Sequence, residues 1–165
     1  MDTKKLQKKI TIWLWIFVAG LVISGLTAIP LRWEANLLDQ IFSSPSSPLA
    51  GKFPGLASFI GFVREGLYAT FGNYPFMAYG TDWLAFAHIV IAIGFLGPIK
   101  DPVKNIWVVE LGMIACVLII PWTLIFGPIR GIPFFWQMVD ASFGIIGMIP
   151  LWVTRNNILK LAAAS

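Results

Sequence analysis

The sequence predicts an all-α, polytopic membrane protein: four transmembrane helices in a bundle, with one amphipathic helix on the outer surface, in a single domain over residues 1–165. Three observations carry that expectation. Four apolar stretches reach the roughly 20 residues that an α-helix needs to cross a hydrocarbon core of about 30 Å. Charged residues make up 12% of the chain and apolar ones 58%, where a soluble domain carries roughly 25% charged. Lysine and arginine flank the apolar runs instead of interrupting them, the arrangement that sets membrane orientation.

The first apolar run, Ile10 to Leu31, follows Lys4, Lys5, Lys8 and Lys9. A basic start before an apolar stretch imitates a secretory signal, but this run is longer than the usual apolar region and lacks a small-x-small cleavage site, so a retained signal anchor is expected. The outer connection from Arg32 to Ala78 divides at Ser43-Ser44-Pro45-Ser46-Ser47-Pro48, whose composition favours a flexible or extended segment. From Pro54 to Phe71 the residues Leu56, Ile60, Val63, Leu67 and Phe71 recur at helical spacing with Ser58, Gly61 and Glu65 opposite. That pattern suits a helix lying flat in the interface. A fifth span over Phe53 to Ala78 would set Arg64 and Glu65 near mid-membrane at a cost of several kcal/mol and would invert the charge arrangement after it.

The second span, Tyr79 to Ile99, is closed by Gly97-Pro98 and Asp101-Pro102. The third is Ile106 to Ile129. The fourth, Ile132 to Val153, is opened by Gly131-Ile132-Pro133. Pro121 and Pro150 are expected to kink or end their helices. With the N-terminus inside, the tail, the 100–105 connection and the C-terminus carry eight basic residues, against Arg32, Lys52, Arg64 and Arg130 outside. Both termini are therefore expected to be cytoplasmic, in a cell (inner or plasma) membrane.

The pI of about 9.4 does not mark a nucleic-acid binder, because the basic residues follow topology and do not cluster on one wet face. Cys116 is the only cysteine, so no internal disulfide forms and no Cys-rich metal motif exists.

Ionisable side chains within hydrocarbon are costly and so are functional candidates. Three qualify: His88, Glu110 and Asp140. A rise of 1.5 Å per residue puts His88 roughly 10 Å and Asp140 roughly 12 Å below the outer surface, and Glu110 about 7 Å from the inner one. His88 and Asp140 thus share a layer and are expected to pair. Small neighbours (Gly144 and Gly147 beside Asp140, Ala85 and Ala92 beside His88) permit the second and fourth spans to approach closely. The pair reads first as interhelical polar glue and, alternatively, as a catalytic acid-base couple. Glu110 reads as a first-turn carboxylate on its helix dipole, with Lys104, Lys100 or a backbone group as partner. Asp82 reads as the cap of the second span. Arg130 beside Trp136 and Arg32 beside Trp33 are expected to snorkel at outer helix ends, or to hold a lipid phosphate. Arg130, Trp136, Asp82 and Arg32 are accordingly the ligand-binding candidates.

Several chemistries lack their residues. One histidine does not supply a bis-His haem, and no GxxxxGK[ST], GxSxG or HExxH motif is present. No lysine inside a span offers a retinal-type Schiff base, and catalytic zinc would need His88 plus two distant carboxylates. No cofactor and no metal are expected. The expectation is a structural, accessory or lipid-like small-molecule-binding membrane protein, with membrane lipids as partners and a homo-oligomer or larger membrane complex as its setting. Two alternatives stay open: an enzyme acting on a lipid or isoprenoid-like substrate through His88 and Asp140, and an oligomeric proton-coupled carrier using Asp140, His88 and Glu110.

Overall fold

The computed structural model describes residues 3–164. It is all-helical, with no strand among the described residues. The helices are α1 Thr3–Thr27, α2 Leu31–Ser43, α3 Pro54–Asn73, α4 Tyr79–Gly94, α5 Leu96–Lys100, α6 Ile106–Ile129 and α7 Phe134–Ala162, with a 3-10 turn over Pro75–Ala78 leading into α4. Four stretches are long and apolar enough to cross a membrane: Thr3–Thr27, Pro75–Lys100, Ile106–Ile129 and Phe134–Ala162. Two compact units are distinguished, one comprising Met1–Leu21 with Val90–Ser165 and the other Val22–Ile89.

In the first unit, α6 and α7 form a tight antiparallel hairpin. Its turn is a Schellman motif: Ile132 N–H reaches the Gly127 carbonyl at 2.9 Å and Gly131 N–H the Pro128 carbonyl at 3.1 Å. Gly131 stands at φ +70°, where a Cβ would clash with its own backbone. Pro133 then starts α7. Buried Gln137 donates from Nε2 to the Ile132 carbonyl at 2.7 Å and fastens the turn from inside. Below it the helices meet through glycines. A Cβ on Gly144 would collide with the Cys116 carbonyl oxygen and with Ile119 Cγ2, and one on Gly112 would lie 2.8 Å from the Phe95 ring and 2.9 Å from Leu151. Phe17 of α1 stacks obliquely on Phe95, centroids 4.8 Å apart.

Many large apolar side chains stay exposed on the long helices. Only 22–28% of the most apolar 18-residue window of each long helix is buried. Outward-facing positions include Trp122, Ile125, Phe143, Ile145, Ile146 and Trp152, whereas the buried polar residues are Gln137, Thr154 and Asn157. The interior also holds Leu6, Ile10, Leu14, Leu151 and Ile158, so it mixes large aliphatic side chains with these few polar ones.

Several boundaries differ from expectation for local reasons. α1 starts at Thr3 and takes in the lysines, which are good helix formers, and it stops at Thr27 ahead of Pro30. α7 runs past Val153 to Ala162 and carries Pro150 inside it. Pro121 likewise lies within a continuing α6, so neither proline ends its helix. The break falls instead between α4 and α5, where Pro98 supplies no N–H to the Gly94 carbonyl four residues before it. The Asp101 to Asn105 connection is closed by Asp101 Oδ1 accepting from Lys104 N–H at 3.1 Å and by Asn105 Nδ2 donating to the Asp101 carbonyl at 2.9 Å.

In the second unit, α2 and α3 pack antiparallel on each other. The serine-rich connection is a run of hydrogen-bonded turns and not an extended segment. Ser47 N–H reaches the Ser44 carbonyl at 2.9 Å and Ala50 N–H that of Ser47 at 3.1 Å. The Ser47 hydroxyl donates to the Ile41 carbonyl, a free acceptor near the end of α2, and accepts from Leu49 N–H at 3.2 Å. Serine side chains that replace backbone partners account for the compaction.

Candidate functional site

A group of polar side chains gathers around open space between α2 and α3. Leu31, Ala35, Leu38 and Phe42 fall at helical spacing on α2, which leaves Arg32, Asn36 and Asp39 along the adjoining face. On α3 the matching face carries Gly61, Arg64, Glu65, Tyr68 and Ala69. Antiparallel packing brings the two faces into register. Arg64 Nε lies 3.3 Å from Asp39 Oδ2, Asn36 Nδ2 donates to the Tyr68 hydroxyl at 2.6 Å, and the Arg32 guanidinium sits 5.8 Å from the centroid of the Tyr68 ring. Beside this seam runs an open groove of about 740 Å³ lined by Asn36, Gly61, Arg64, Glu65, Tyr68 and Ala69. Gly61 helps to form it: a Cβ there would meet nothing within 4 Å.

The outer surfaces of the same helices are apolar, with Trp33 63% and Phe62 72% exposed. The site is thus amphipathic: a polar groove backed by aromatic side chains. Burial holds the carboxyl of Glu34, in the first turn of α2, above the usual range.

The expected site residues are distributed as follows. Arg32 belongs to the groove's rim through its contact with Tyr68. Asp82 lies exposed in the first turn of α4, inside the helix and not at its cap, while Thr81 Oγ1 donates to the Ala78 carbonyl at 2.7 Å. Arg130 is exposed at the α6–α7 turn, and Trp136 stands in the first turn of α7. His88 belongs to the second unit and Asp140 to the first. His88 Nδ1 is 2.9 Å from the Leu84 carbonyl of its own helix, and its Cβ lies against Gly25 of α1, where an added methyl would be 2.6 Å away. Contacts of three of the small residues named beside His88 and Asp140 are defined within their own units. The Ala85 carbonyl lies 3.2 Å from a Cβ built on Gly25, and Gly144 and Gly147 admit Cys116 of α6.

Glu110 requires a correction. It lies one turn beyond the start of α6 and pairs with neither Lys104 nor Lys100: its Oε1 accepts from Arg155 Nε at 2.8 Å. The extension of α7 past Val153 is what brings Arg155 to it. Sequence reasoning also missed α2, although its apolar spacing was a usable signal, and with it Asn36 and Asp39; on α3 it gave Tyr68 no role. Among the described residues no three His, Cys, Asp or Glu side chains converge as a metal site would need. No known protein family, curated protein or solved structure matches the chain.

Proposed function

We propose that this is a multi-pass membrane protein with both termini cytoplasmic, and that its α2–α3 layer lies at the outer interface and holds the polar head of a lipid-like amphiphile, as an accessory or lipid-binding component and not a catalyst. The observation that carries the reading is the groove itself: Asn36, Arg64, Glu65 and Tyr68 offer donors and charges around open space, and Trp33 and Phe62 offer apolar surface beside it. Headgroup contact needs the first and acyl chains need the second. The low share of buried surface on the four long helices supports lipid as their solvent. The eight-to-four distribution of basic residues supports the orientation. His88 supplies no comparable reason to prefer catalysis, since its Nδ1 is engaged by the helix carbonyl one turn back.

The test is mass spectrometry of lipids retained after purification in mild detergent, comparing the wild type with Gly61→Leu. The substitution places a bulky side chain in the groove and leaves its polar residues unchanged. A lipid enriched over the bulk extract in the wild type and lost from Gly61→Leu is the expected result. Equal lipid content in the two proteins would overturn the reading.

A further inference from the structure

The charges around the groove are unevenly engaged. Arg64 is matched by Asp39, so that pair adds no net charge. Among the described residues Arg32 and Glu65 form no ion pair. The Arg32 guanidinium sits 5.8 Å from the Tyr68 centroid, and Glu65, three residues before Tyr68 on α3, shares the face that lines the groove. The Tyr68 hydroxyl accepts from Asn36, which leaves its own proton to donate to a ligand. The groove therefore offers a hydroxyl donor on Tyr68 and a carboxylate on Glu65 in its lining, with the Arg32 cation at its rim.

A purely anionic head would face Glu65, and a purely cationic one would face Arg32. A zwitterion satisfies both. We infer that the groove selects a phosphoethanolamine head, with the phosphate on Arg32 and the Tyr68 hydroxyl and the primary ammonium on Glu65. A primary ammonium carries three N–H donors for a carboxylate, whereas a quaternary ammonium has none and seeks aromatic faces. Among the groove's lining residues the aromatic ring is that of Tyr68, which Arg32 already engages. This inference rests on the amphiphile reading above and narrows it to a headgroup class.

The experiment is native mass spectrometry of the full chain titrated with phosphatidylethanolamine, phosphatidylcholine and phosphatidylglycerol of identical acyl chains, with soluble O-phosphoethanolamine as a separate arm. One charge-assisted contact gives a preference of about tenfold for the ethanolamine lipid over each of the other two. Glu65→Gln, at an exposed position, is expected to abolish the preference over phosphatidylglycerol, and Arg32→Gln to weaken binding of all three phosphate lipids. Binding of all three lipids with equal affinity overturns the headgroup assignment and leaves the amphiphile reading standing, whereas binding of none overturns both. An unchanged preference in Glu65→Gln overturns the assignment of the ammonium. O-Phosphoethanolamine binding as tightly as the lipid supports the head chemistry and assigns it to a free ester.

Discussion

Gly144 is the position where the packing of the first unit makes its sharpest demand. A methyl group there collides with Ile119 Cγ2 and with the carbonyl oxygen of Cys116. The isoleucine can rotate, but the carbonyl retreats only if α6 moves away from α7. Overpacking of this kind costs about 1–3 kcal/mol, and the better helix propensity of alanine returns about 1 kcal/mol. Because one obstacle is backbone, we place the net loss for Gly144→Ala at about 1–2 kcal/mol. Gly20→Ala is the control: nothing lies within 4 Å of its Cβ, so propensity alone acts and stability rises by up to about 1 kcal/mol. Both are measured by reversible unfolding of the purified protein in mixed micelles with rising SDS, followed by circular dichroism. Adding Ile119→Ala to Gly144→Ala removes one obstacle and leaves the carbonyl, so the double variant should recover only part of the loss and the two effects should not add. A Gly144→Ala protein as stable as Gly20→Ala would refute the close α6–α7 approach from which the estimate is worked.

The Glu110–Arg155 bond, with side chains 41% and 35% exposed, should give a coupling of roughly 0.5–1 kcal/mol in a double-mutant cycle of Glu110→Gln and Arg155→Gln; zero coupling would mean that the bond contributes nothing. Gly131→Ala, which forces a Cβ onto φ +70°, should destabilise by about 1–2 kcal/mol, and a Tm equal to wild type would count against the Schellman turn. Glu34, raised by burial, binds more protons folded than unfolded, so its contribution is fully present below the unfolded value and is lost as pH rises through the folded one. Amide exchange of α2 should therefore quicken as pH rises through that window, beyond the intrinsic change, and Glu34→Gln should remove the excess. Single cysteines in a Cys116→Ala background should label from outside at 46 and 131 and from inside at 101; the reverse pattern would invert the proposed orientation.

The sequence by itself determined what depends on one segment at a time. Length and hydropathy are properties of a stretch, so the four long apolar helices were legible, and α6 occupies the expected Ile106–Ile129. The α3 helix was legible for the same reason, because Leu56, Ile60, Val63 and Leu67 repeat at the period of a helix wherever it lies. Only the tertiary structure decided which side chains meet. Glu110 found Arg155, 45 residues on, and not the nearer lysines. The groove exists because antiparallel α2 and α3 bring Asp39 to Arg64 and Asn36 to Tyr68. Each such meeting is set by the rotation and axial register of two helices together, and the periodicity of either helix alone contains neither quantity.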